Sequence, residues 1–194
     1  MDPAKVSMIQ DWPKPRKVRD VQAFLGFANF YQRFIHDYSE LTLPLNHLCK
    51  KCTTWHFGAE EAEAFWNLKK AFGSMPVLAH WALDLPMMVE KDASDCVIVG
   101  ILSVTTNDGE IRPVAFYSCT LQSAEQNYNM HDKELLVIFE AFKTWCHYLE
   151  GLAKTINMVT DHKNLEYFTS TKKLTRRQAR WLEFLSQFNL SVWF

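Results

Sequence analysis

The sequence predicts an α/β protein: a mixed five-stranded sheet with flanking helices over residues 81–194, preceded by a small helical segment over residues 1–80. Two observations predict it. Apolar residues before about position 80 recur at three- and four-residue steps, whereas short runs rich in β-branched and aromatic residues begin near position 86. Beyond those runs, helix-like and strand-like stretches alternate, as they do in a sheet built with crossovers.

Pro13 and Pro15 punctuate the start. Val18, Val21, Leu25 and Ala28, with Phe24, Phe27, Tyr31 and Phe34, then make an aromatic-faced helix. Pro44 is expected to break the next helical segment, and Gly58 with Glu60 and Glu61 to open another, striped by Phe65, Leu68 and Phe72. Such stripes mean core packing or a partner helix. PMMVEKDAS, CVIVGILSV and IRPVAFYSCT read as three successive antiparallel strands, with Asn107-Asp108-Gly109 as the hairpin turn between the last two. Residues 123–150 read as one helix with Leu135, Ile138, Phe139, Phe142, Trp145 and Leu149 on its apolar stripe, stopped at Gly151. TINMVT is strand-like, Asp161 begins a helical HKNLEYF, an amphipathic helix covers 175–188, and NLSVWF is the last strand.

With 194 residues, 48% of them hydrophobic, the chain can bury a real core. Charge interrupts every apolar run, so none approaches the roughly 20 residues of a membrane span. MDPAKVSMIQDWPKPRK has no hydrophobic signal core. An intracellular protein, cytoplasmic or nuclear, with no membrane partner is expected; the oligomeric state stays open. The cysteines at 49, 52, 96, 119 and 146 follow no disulfide framework. His47, Cys49, Cys52 and His56 could serve zinc, but an ordinary polar connector is the better reading, because structural fingers separate their ligand pairs further. Net charge is -1, so any nucleic-acid affinity rests on local clusters. One is Lys14, Arg16, Lys17 and Arg19; the other is Lys172, Lys173, Arg176, Arg177 and Arg180 in TKKLTRRQAR. Five phosphate contacts from the second would give a log-log salt slope of about -4 to -5. Taken alone, a basic run is more often a solvated helix face.

Three acids stand out: Asp92, Glu134 and Asp161. Asp92 and Asp161 close predicted strands, and ligands collect at the carboxyl ends of strands in open sheets. On a helical wheel of about 100° per residue, Glu134 falls roughly 70° from the centre of its stripe, able to point along the sheet, while Glu140 faces solvent. Carboxylates brought together repel one another unless a cation compensates. Magnesium prefers oxygen ligands, and paired ions about 3.5–4 Å apart can activate water and stabilise a leaving oxygen in phosphodiester hydrolysis. Each acid also has an ordinary reading: Asp92 as a turn residue helped by Ser94, Asp161 as a helix N-cap, Glu134 as a first-turn charge favouring the helix dipole.

VEKDASD, PVAFYSCTLQSAEQNY, HDKELLVIFEAFKTWCHYLEG, VTDHKNLEYF and KKLTRRQARWLEFLSQF, in this order, closely resemble the RNase H domain of Gypsy-type LTR-retrotransposon polyproteins. Residues 2–51 resemble the thumb and connection that join a reverse transcriptase palm to that domain. The resemblance implies an RNase H-like fold and an endoribonuclease that cuts the RNA strand of an RNA/DNA hybrid. It implies catalytic, metal-binding roles for Asp92, Glu134 and Asp161, with two magnesium ions, or manganese, as cofactors. The basic segment, with Tyr117, His162 and Asn164, is expected to contact the hybrid, and the rest of a reverse transcriptase polyprotein is an expected partner. Three departures matter. Lys91 stands where the family usually has Thr, the polymerase palm is absent, and the chain stops at Phe194, before the family's further acidic helix. A C-terminally truncated domain is therefore expected, and a catalytically silent remnant that binds nucleic acid or a protein is the alternative.

Overall fold

A computed structural model describes residues 3–51, 53–74, 78–160 and 174–193. The chain forms two compact units, Met1–Val77 and Leu78–Phe194. Among the described residues no helix is long and apolar enough to cross a membrane.

The first unit is helical: α1 (Pro3–Gln10), α2 (Val18–Asn29), α3 (Tyr38–Leu48) and α4 (Ala59–Gly73). The aromatic stripe read in the sequence is its core. Val21, Phe24 and Ala28 of α2 are buried with Phe65, Leu68 and Phe72 of α4, and the Phe24 and Phe65 rings lie 4.6 Å apart. Each buried Phe contributes about 1.5–3 kcal/mol. Pro44 does not break its helix; α3 continues through it to Leu48. A proline removes only one rung, and the buried Leu45 and Leu48 hold the turn that follows. Gly58 does open α4, and the Glu61 carboxylate accepts its N–H at 2.9 Å.

The second unit carries a five-stranded sheet, order β3-β2-β1-β4-β5. Its strands are β1 (Met87–Ala93), β2 (Val97–Thr105), β3 (Ile111–Thr120), β4 (Ile156–Val159) and β5 (Leu190–Trp193). The first three form an antiparallel meander, while β4 lies parallel to β1 and β5 parallel to β4. Gly109, at φ 78°, takes the left-handed position in the β2–β3 turn, where its N–H reaches the Thr106 carbonyl.

The stretch read as one helix is three: α5 (Ser123–Gln126), α6 (Met130–Thr144) and α7 (Cys146–Leu149). The apolar stripe runs on across the breaks, but the backbone does not. Asn129 is extended, and its side chain caps α6 by accepting the Asp132 N–H at 2.8 Å. α6 covers the sheet: a Cβ on Gly100 of β2 would stand 3.1 Å from the Trp145 ring and 3.6 Å from Ala141. Leu135, Ile138 and Phe142 of α6 share the core with Met87, Val89, Ile98 and Leu102 of the sheet. On the outer side of α6 lies α8 (Arg176–Leu185), with Trp181 and Phe184 against Phe139. The helix expected after Asp161 lies outside the described residues.

Candidate active site

β1 is the middle strand, and it delivers the first acid. Burial alternates along it: Met87, Val89 and Lys91 are buried and Asp92 is exposed. Lys91 sits opposite Gly100, the position that α6 covers, so its side chain runs beneath that helix. There its Nζ lies 3.0 Å from Oε2 of Glu134, with the two side chains only 1% and 2% exposed. The sequence placed Glu134 at the edge of a stripe; it is fully enclosed.

Asp92, one residue further, turns away from Lys91 into solvent. Its Oδ1 accepts the Ala93 N–H at 2.8 Å. Just beyond, Ser94 closes the β1–β2 turn by donating its N–H to the Val97 carbonyl at 2.8 Å. Asp95 at this turn is almost fully exposed, and Lys133 of α6 reaches it at 3.3 Å. Glu90 lies opposite Val159, so β1 and β4 run to the same edge of the sheet. Asp161, His162, Asn164, Lys172 and Lys173 lie outside the described residues.

The basic helix α8 splits into two kinds of arginine. Arg176 and Arg180 are exposed. Arg177 instead turns inward to the buried Asp132 carboxylate, with its guanidinium 3.7 Å above the Tyr128 ring. Gln178 completes the knot. Its Nε2 donates to Asp132 Oδ1 at 2.6 Å, and its Oε1 accepts the Thr175 N–H at 2.9 Å. Asp132 lies two residues before Glu134, so this knot pins the turn of α6 that carries it. Sequence reading missed both buried pairs. Thr175-x-x-Gln178 was the available signal, being a capping box that marks where α8 starts.

Tyr117 of β3 is half-buried opposite Gly100, edge-on to Trp145 with ring centroids 6.2 Å apart. Burial, and then the Cys119 thiol and Glu140, push its phenol well above the ordinary range, so it stays a neutral hydroxyl. Glu140 is half-buried and paired with Lys143 at 3.3 Å. For the zinc reading, Cys52 lies outside the described residues, and burial pushes the Cys49 thiol up. Among the described residues, no three His, Cys, Asp or Glu side chains are grouped to hold a metal.

The acids at hand suit a hard divalent ion by their chemistry. Asp92 offers a solvent-facing carboxylate at a strand end, and Glu134 offers a carboxylate whose charge demands a cation nearby. At present the chain's own Lys91 is that cation.

A profile of the RNase H-like domain found in reverse transcriptase matches residues 82–188. The Transposon Tf2-3 and Tf2-4 polyproteins of Schizosaccharomyces pombe are each 34% identical to the chain over 189 residues, 96% of its length and 14% of theirs. The chain thus corresponds to a small part of these curated relatives. Among solved structures, the foamy viral protease-reverse transcriptase in complex with dsDNA aligns with a TM-score of 0.81 at 20% identity, over all of this chain and 41% of that one. The same protein in complex with an RNA/DNA hybrid gives 0.76 at 20% identity, over 27% of its chain. At such identity the likeness is one of fold.

Proposed function

Because the chain belongs to the RNase H-like domains found in reverse transcriptases, we propose that it hydrolyses the RNA strand of an RNA/DNA hybrid as part of a retrotransposon polyprotein. In this reading residues 1–80 are the thumb and connection segment, residues 81–194 carry the nuclease, and the protein works inside the cell, in cytoplasm or nucleus. One observation carries it: Asp92 stands exposed at the end of the middle strand, one residue from the lysine that holds Glu134.

Asp92, Glu134 and Asp161 are the residues that would hold magnesium, or manganese in its place. Two such ions supply activation of the attacking water and stabilisation of the leaving oxygen. The chain's own side chains do the rest. Asp92 presents its charge to solvent, where a phosphodiester can approach. Arg176 and Arg180 meet phosphates, joined by Lys172, Lys173, His162 and Asn164, and Tyr117 serves with a neutral hydroxyl. A hybrid is recognised by its shape, its phosphates and its 2'-hydroxyls, so contacts of this kind need no base sequence. The foamy viral relative in complex with an RNA/DNA hybrid supports that substrate class.

The test is cleavage of an end-labelled hybrid in the presence of magnesium. Wild type is expected to cut only the RNA strand, and Asp92→Asn to lose about 4 kcal/mol of barrier reduction, on the order of a thousandfold in rate. A folded wild-type protein that leaves the hybrid intact overturns the reading. Cleavage that survives in Asp92→Asn removes Asp92 from the site.

A further inference from the structure

Glu134 is buried against an ammonium group, and that changes what a metal meets. Lys91 Nζ lies 3.0 Å from Glu134 Oε2, and neither side chain touches solvent to any extent. The pair is built into the fold. Lys91 descends from the middle strand opposite Gly100, under a helix that approaches so closely that a Cβ at Gly100 would crowd Trp145. Glu134 comes down from α6, and the turn bearing it is fixed by Asp132 through Gln178 and Arg177. Lys133, the lysine next to Glu134 on α6, is committed elsewhere, to Asp95.

We infer that Lys91 is a built-in competitor for the divalent ion, so that Glu134 becomes a metal ligand only when the ion displaces the Lys91 ammonium. This rests on reading Asp92 and Glu134 as ligands. Two physical consequences follow. With Lys91 in place, Asp92, Glu134 and Lys91 together carry one net negative charge instead of two, so the pull on a divalent ion is weaker. Any ion that gains Glu134 must also leave the ammonium a new position, away from the enclosed place where the carboxylate now offsets its desolvation. Metal affinity is therefore set by Lys91, a residue that is not itself a ligand.

The direct test uses the full chain and magnesium or manganese alone, with binding measured by calorimetry. Lys91→Met keeps the aliphatic stem and removes the charge. It is expected to bind the ion about ten- to a hundredfold more tightly than wild type, the range over which partners of metal ligands ordinarily tune affinity. Its melting temperature should also climb more steeply with metal than that of wild type, because the ion then neutralises a buried carboxylate. Folded Lys91→Met with unchanged affinity overturns the inference.

Should Lys91→Met fail to fold, the wild-type protein still decides the matter. In a lysine-15N spectrum the buried Lys91 ammonium is expected to give a protected resonance that shifts or disappears as metal saturates. A resonance that stays in place while the Asp92 backbone signals move overturns the inference. The hybrid-cleavage assay separates the two ideas. Wild-type cleavage with no affinity gain in Lys91→Met sinks the competitor and spares the nuclease. Tighter metal binding in Lys91→Met without cleavage by wild type does the reverse.

Discussion

Lys91 and Glu134 enclose opposite charges that neither could keep alone. Their mutual attraction offsets two desolvation penalties, so the pair adds little net stability, but breaking it on one side is costly. Glu134→Gln is expected to cost about 3–5 kcal/mol in urea denaturation, because it leaves the buried ammonium facing a neutral amide, with no opposite charge to offset its desolvation. Lys91→Met combined with Glu134→Gln should recover most of that loss. Singles that simply add in the double variant would show that the two residues are not one unit. Tyr38 makes a different prediction. It is buried in the helical unit, and burial lifts its phenol above the ordinary value of 10.0. A raised folded-state value means that the neutral form is favoured by folding. The contribution is therefore complete below pH 10.0 and is lost as the pH climbs beyond it toward the folded-state value. Alkaline unfolding curves of Tyr38→Phe should show a shallower fall above that pH than wild type, and identical slopes would refute the assignment.

At the scale of elements, α8 serves two purposes with adjacent residues. Arg177 and Gln178 face α6 and bind Asp132, 45 and 46 residues away, while Arg176 and Arg180 face out. Binding of a hybrid measured against salt should separate them. Arg180→Ala is expected to flatten the log-log slope by about 0.9, the share of one phosphate contact. Arg177→Ala should leave the slope nearly unchanged and lower stability, since it strips a buried carboxylate of its charged partner. The reverse pattern would mean that Arg177 leaves Asp132 to meet phosphate. Periodicity made most elements legible from the sequence: the meander, its Asn-Asp-Gly turn and α8 all stand where the pattern put them. The division of residues 123–150 was not legible, because the stripe that signals a helix continues through the extended Asn129 that interrupts one. Pro44 misled for a related reason, since packing of Leu45 and Leu48 outweighs one missing rung. Asp92 and Glu134 could be picked out as acids by pattern and resemblance. Their surroundings could not, since ion pairs between a strand and a helix depend on which faces meet, and no local spacing records that.

Taken as a molecule, the chain joins a helical unit to a sheet unit whose middle strand is approached from two directions. β2 reaches β1 after a short turn closed by Ser94, whereas β4 reaches it only after α5, α6 and α7 have been crossed. Contacts near in sequence form at low entropic cost and distant ones late, so the β1–β2–β3 meander is the natural nucleus, and docking of α6 with β4 follows. A chain emerging from the ribosome has all three meander strands before it has α6. During that interval Lys91 remains hydrated on an open sheet face, a positive charge waiting where an apolar side chain would invite association with other nascent chains.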